Sequence, residues 1–226
     1  GSGLVGSEMC IRDSRRNNIE VTASHRFCNA APVTIAIYYG MQSMFEGETH
    51  VLTPGGAYTD WTEVAKASTF TKQEHPLFRR YVEKNRQGYQ STWLLPDGLG
   101  DHALLDGQDD IFIYAPYGKS YHKLIGNKRM ENGDKTCWRG VYTWFETPIA
   151  DDADLLCYEG SVGGHTAVFI DCKRACKRTL ALPGYLDLRH FGTAEQNSGI
   201  RISAAGRNKL KIKAGAPGSC VLLLRE

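Results

Sequence analysis

Lys209-Leu210-Lys211-Ile212-Lys213 alternates charged and apolar residues with a period of two. An extended strand, whose successive side chains point to opposite faces, turns that pattern into one apolar face and one lysine face. Outward from it, short apolar or alternating runs recur at Ile19 to Ala23, Val33 to Tyr39, Ile111 to Tyr114, Val141 to Phe145, Ala167 to Ile170, Thr179 to Leu182, Tyr185 to His190, Gly199 to Ser203 and Cys220 to Leu224. Turn dipeptides such as Pro54-Gly55, Asp97-Gly98, Asn132-Gly133 and Pro183-Gly184 separate them, which predicts an all-β, mainly antiparallel fold, sandwich or barrel-like. One short helix is expected near residues 76–87. There Pro76 opens a stretch with Leu77/Tyr81 and Phe78/Val82 spaced four apart, and Gly88 closes it. Strands and helices do not alternate, so a doubly wound nucleotide-binding fold is not expected.

The 226 residues carry 24 Gly, 8 Pro, 42% hydrophobic and 23% charged residues, the profile of a globular chain with many turns. They suit a single β-rich domain over residues 15–226, with two small β lobes, about 18–125 and 126–226, as the alternative. The net charge of +2 gives no reason to expect nucleic acid as a partner. No apolar run has the length of a transmembrane helix. Charge is unevenly placed: Cys172 to Glu226 holds eleven Lys and Arg against three acids, leaving the preceding part acidic.

Gly1 to Ser14 resembles translated library-adapter sequence and is expected to be non-native or disordered. Setting Cys10 aside leaves an even six cysteines, Cys28, Cys137, Cys157, Cys172, Cys176 and Cys220. In a Gly-rich chain that parity suggests up to three disulfides and an extracellular or lumenal setting; fifteen pairings are open. Cys157, His165, Cys172 and Cys176 lack the spacing of a structural zinc site, and neither a metal nor a cofactor is expected.

The segment Phe27-Cys28-Asn29-Ala30-Ala31-Pro32-Val33 followed by Thr34 to Tyr39 resembles the opening of the domain-of-unknown-function family number 1036. Leu52-Thr53-Pro54-Gly55, Ile111 to Ala115, and the series Cys137-Trp138, Phe145, Asp151 to Asp154, Cys157 and Gly160 are similar to later parts of that mostly bacterial family. The insertion at residues 65–108 and the stretch from Cys172 onward have no counterpart in it. The resemblance implies a small, β-rich, exported protein, and no catalytic residue comes with it. A looser likeness to thaumatin-like proteins and actinoporin-type cytolysins rests on the strand and Leu-x-Pro-Gly turn.

No phosphate-binding glycine loop or nucleophile elbow is present. Aromatic residues Tyr117, Tyr121, Trp138, Tyr142 and Trp144 and the lysines Lys209, Lys211 and Lys213 are the candidate partner-binding residues. The leading expectation is a non-enzymatic, disulfide-stabilised binding or structural module, a subunit of a larger assembly, with a protein partner or another copy of itself bound. A glycan or anionic lipid is the alternative partner. A cytolysin-type protein that binds or perforates membranes is the second function reading. The third is a carbohydrate hydrolase using two of Asp109, Asp110, Asp151, Asp152, Asp154 and Glu159.

Overall fold

The structure, a computed structural model, describes residues 4–12, 18–44, 48–54, 58–63, 69–71, 79–95, 111–115, 119–196 and 199–224. Among these the chain forms strands throughout and no helix, as the period-two pattern requires. Every strand pairing is antiparallel, and four open sheets result, with no closed barrel.

A seven-stranded sheet runs in the order β1 (Leu4–Arg12), β2 (Asn18–Cys28), β11 (Lys135–Phe145), β8 (Gly88–Leu94), β7 (Arg80–Asn85), β4 (His50–Leu52) and β5 (Thr62–Glu63). A four-stranded sheet follows β3 (Val33–Met44), β10 (Lys119–Met130), β9 (Ile111–Ala115) and β6 (Thr69–Thr71). A five-stranded sheet joins β12 (Ala150–Asp151), β13 (Leu155–Val162), β14 (His165–Cys172), β19 (Gly218–Leu224) and β16 (Phe191–Gln196). The last, three-stranded, places β18 (Lys209–Ala214) between β15 (Cys176–Ala181) and β17 (Ile200–Gly206).

Three cores stack these sheets as layers. Met41 and Leu124 of the four-stranded sheet meet Val21, Tyr81, Leu94 and Trp138 of the seven-stranded one. The opposite face of the seven-stranded sheet presents Val82, Trp93 and Val141 to Leu156, Tyr158, Phe169 and Val221 of the five-stranded sheet. Cys157, Val168, Ile170, Cys220 and Leu222 on the far side of that sheet pack on Ile200, Leu210 and Ile212 of the three-stranded one. The unbroken apolar run of β14 follows from this, because both of its faces are covered, whereas β18, in an outer layer, alternates. Layers approach closely at Gly140, where a Cβ would lie 2.1 Å from Met41 Sδ.

The helix expected near residues 76–87 is not formed where the structure describes it. Residues 80–94 are the hairpin β7–β8, with Asn85 opposite Gly88 and Gly88 at φ +132°. Tyr81 and Val82 reach cores on opposite faces of one strand, a demand set by two sheets far away in sequence that looks locally like helical spacing. Residues 72–78 lie outside the described residues. Tyr185 to His190 is likewise no strand: an irregular segment tied by Leu182 N–H to Asn208 O and Leu188 N–H to Arg207 O drops Leu186 and Leu188 onto the core. The opening segment runs from Leu4 to Arg12 as edge strand β1, opposite Cys28 to Glu20 of β2. Main-chain pairing of this kind needs an open edge and no particular sequence.

The expected disulfides are absent. No two of Cys28, Cys137, Cys157, Cys172, Cys176 and Cys220 are bridged. An even count says nothing of distance, and the register puts Cys28 and Cys137 in the seven-stranded sheet, Cys157, Cys172 and Cys220 in the next layer, and Cys176 in the layer beyond.

Candidate functional site

The lysine face read from the sequence is real in three dimensions, and it is broader than three residues. In β18 the alternation buries Leu210, Ile212 and Ala214 and exposes Lys209, Lys211 and Lys213. The register sets Lys177 of β15 and Arg201 of β17 on either side of Lys213, so three cations share one rung. Thr179 and Ser203 flank Lys211, and Ala181 and Gly206 flank Lys209. Adjacent strands lie about 4.8 Å apart, so like charges crowd across the rung, an arrangement that costs stability. None of the five cations has a carboxylate partner among the described side chains. A lysine-rich edge strand guards a sheet against aggregation, but β18 is the central strand here, so edge protection does not explain it. The platform is cationic, and Thr179, Ala181, Ser203 and Gly206 stand between its charges.

The aromatic candidates are not part of it. Trp138 is buried in the core below the four-stranded sheet, where its indole N–H donates to Tyr38 Oη at 2.7 Å. Tyr142 donates to the Gln42 carbonyl at 3.0 Å and stacks on Trp144, which sits at the rim and donates to Gln90 Oε1 at 2.9 Å. Tyr121 packs on Tyr39, ring centres 4.7 Å apart, and Tyr117 lies outside the described residues. Aromatic and lysine sets therefore belong to different layers, with the five-stranded sheet between them.

The acidic turn is neutralised by its own neighbours. Asp151 accepts from Lys173 at 2.7 Å, Lys84 at 2.8 Å, Tyr89 at 3.0 Å and Trp61 at 3.2 Å. Burial pushes its carboxyl up, and the donors, Lys173 foremost, more than offset this and hold it at about 2. Asp152 and Asp154 are gripped by Arg178, and Asp154 also by Arg174. Glu159 accepts from the Tyr185 hydroxyl at 2.6 Å. No group of metal-binding side chains occurs among the described residues, and Asp109 and Asp110 lie outside them.

Two buried polar groups went unread in the sequence, and both bolt the seven-stranded sheet to a neighbour. Arg80 forms a two-pronged pair with Asp171 at 2.5 and 2.6 Å and also donates to Tyr158. Burial pushes the Asp171 carboxyl upward, while the permanently charged guanidinium draws it back. On the other face, Glu83 accepts from Ser43 at 2.9 Å and Ser120 at 2.7 Å, with Tyr81 bonded to Ser120 at 3.1 Å. Burial raises the Glu83 carboxyl to about 7 against the pull of its serine donors. Serine, carboxylate and the nearby His122 look like hydrolase machinery, but Glu83, Ser43, Ser120 and His122 are all buried between the two sheets. No local pattern marks these residues, because a charged residue in a strand looks solvent-facing until its cross-layer partner is known.

No family model, curated protein or solved structure matches the chain.

Proposed function

We propose that the chain is a non-enzymatic β-rich binding or structural module whose partner-facing surface is the outer face of the three-stranded sheet. The observation that carries this reading is the platform of Lys177, Arg201, Lys209, Lys211 and Lys213, five exposed cations without a carboxylate partner among the described side chains. The partner it fits is an acidic protein surface. Stable seating on a bilayer takes apolar residues able to insert in addition to charge attraction, and a neutral glycan takes an aromatic ring to stack on. Neither stands among Thr179, Ala181, Ser203 and Gly206, which fill the spaces between the cations. The chain's own acidic turn is already occupied by Lys173, Arg174 and Arg178, which argues against a second copy as the partner. An extracellular or lumenal setting belongs to the proposal through the family resemblance alone, and fractionation of the expressing source tests it.

The experiment is titration of the full chain with poly-glutamate in rising salt, with sulfated glycan and anionic vesicles as comparison probes. Poly-glutamate is expected to bind, to weaken as salt rises, and to be lost, at unchanged melting temperature, in a Lys177→Glu/Lys211→Glu/Lys213→Glu variant. Binding of vesicles or glycan without poly-glutamate, or poly-glutamate binding untouched by the three reversals, overturns the reading.

A further inference from the structure

The cysteines, unbridged in the structure, are not equally far from bridging, and the strand register decides among them. A disulfide needs Cα atoms roughly 4.4 to 6.8 Å apart. Cys157 and Cys220 both face Ile170, one from each side, and so lie two strand spacings apart, about 10 Å. Cys172 stands opposite Leu155 and Gly218, so Cys157 and Cys220 are its diagonal neighbours, roughly 7 to 8 Å away. In the seven-stranded sheet, Cys137 stands opposite Ser24, four residues from Cys28 along β2. Cys172 and Cys176 differ from all of these. They end β14 and begin β15, four residues apart across the three-residue turn Lys173-Arg174-Ala175, where the chain folds back and makes the two side chains interacting neighbours.

That turn is held in place before any bridge forms. Lys173 N–H donates to Asp154 O at 2.8 Å, its Nζ reaches Asp151, and Arg174 and Arg178 grip Asp154 from either side of Cys176. The two sulfurs are thus positioned by five-stranded-sheet contacts that do not depend on them. Cys172 is buried, whereas Cys176, at the margin of the same core, is only partly buried and is the more accessible of the two.

We propose that Cys172 and Cys176 form a redox site that closes to a disulfide on reaction with a small-molecule disulfide, while the other cysteines remain thiols. In the first step the Cys176 thiolate attacks one sulfur of the small disulfide, forming a mixed disulfide and expelling one small thiolate. Cys172 then attacks Cys176 Sγ and expels the second small thiolate, which takes up the Cys172 proton as it leaves. Two protein thiols are oxidised and one small disulfide is reduced to two thiols, so the electrons balance. Closure joins the five-stranded sheet covalently to the strand that carries Lys177 of the basic platform, and the inference stands whether or not that platform binds an acidic partner.

The test is equilibration of the full chain with graded ratios of oxidised to reduced glutathione, acid quench, thiol alkylation, and intact-mass and peptide mapping. The oxidised chain is expected to take up two alkyl groups fewer than the reduced chain, leaving five of its seven cysteines alkylated, with Cys172 and Cys176 in one crosslinked peptide. Cys172→Ser should instead trap glutathione on Cys176, and Cys176→Ser should show neither bridge nor adduct at position 172. Cys28→Ser, at an exposed position, should close as the parent does. Full alkylation at every ratio, a bridge mapped to another pair, or a glutathione adduct on Cys176 that persists with Cys172 intact overturns the proposal. Melting curves of each variant separate loss of the site from loss of fold.

Discussion

The two interfaces made by the five-stranded sheet are built on opposite principles. Toward the three-stranded sheet it offers Leu155, Val168, Ile170, Leu222 and thiols, and meets Leu210, Ile212 and Ile200: an aliphatic seam, with ion pairs from Arg178 of β15 to Asp152 and Asp154 only at its edge. Toward the seven-stranded sheet, aromatic rings stack in a column, Phe145 on Tyr158 at 4.4 Å and Tyr158 on Phe169 at 4.8 Å, and the Arg80–Asp171 pair runs through the layer. An apolar seam tolerates sliding, because hydrophobic contact is not directional. A two-pronged ion pair accepts one geometry. The comparison teaches that one interface carries its ion pair buried within the layer, whereas the other is aliphatic inside and keeps its ion pairs at the edge.

The sharpest way to break the comparison is to orphan one half of the bolt. Asp171→Ala leaves the Arg80 guanidinium buried without its carboxylate and should cost about 3 to 5 kcal/mol in denaturant unfolding. Replacing both, Arg80→Met with Asp171→Leu, should recover most of that stability; failure to recover would show that the pair contributes net energy as well as register. Next in size is the aliphatic seam, where Leu210→Ala should cost about 2 to 4 kcal/mol, measured the same way and equal at pH 5 and pH 8.

The smallest effect lies at the third interface, where the seven-stranded and four-stranded sheets meet through Glu83, faced by Ser43, Ser120, Tyr81 and Tyr142. Its carboxyl holds a proton more tightly in the folded chain, about 7, than at its ordinary 4.5. The folded state is therefore favoured below the lower value and loses stability as pH rises between the two, by on the order of 3 kcal/mol or less. Glu83→Gln should flatten that part of the stability–pH curve, so subtracting the two curves isolates this carboxyl from every other titrating group. An unchanged slope would place Glu83 in contact with solvent.

How much was legible depended on the range of the interaction. Strands at Val141 to Phe145, Ala167 to Ile170, Lys209 to Lys213 and Cys220 to Leu224 were readable because alternation and turn residues are local signals. The helix expected near residues 76–87 came from the same local logic, and it failed because Tyr81 and Val82 answer to two different sheets. Three of the platform's five cations were visible, since Lys209, Lys211 and Lys213 share a strand. Lys177 and Arg201 join it only through cross-strand register. The aromatic set pointed to a surface and in Trp138 delivered a core residue, because a strand in an inner layer hides both of its faces.

The sequence by itself determined the all-β class, the short antiparallel grammar and the existence of a lysine face, each a consequence of side chains alternating along an extended backbone. Only the tertiary structure decided which strands are neighbours and hence everything that depends on neighbours. That covers the pairing of Arg80 with Asp171 across 91 residues, the burial of Glu83, the five-cation platform, and which two of the cysteines approach one another. The physical reason is that strand pairing is a contact between distant segments, and a shift of one residue exchanges every inward side chain for an outward one. Composition and parity are blind to that shift, and the layers are not.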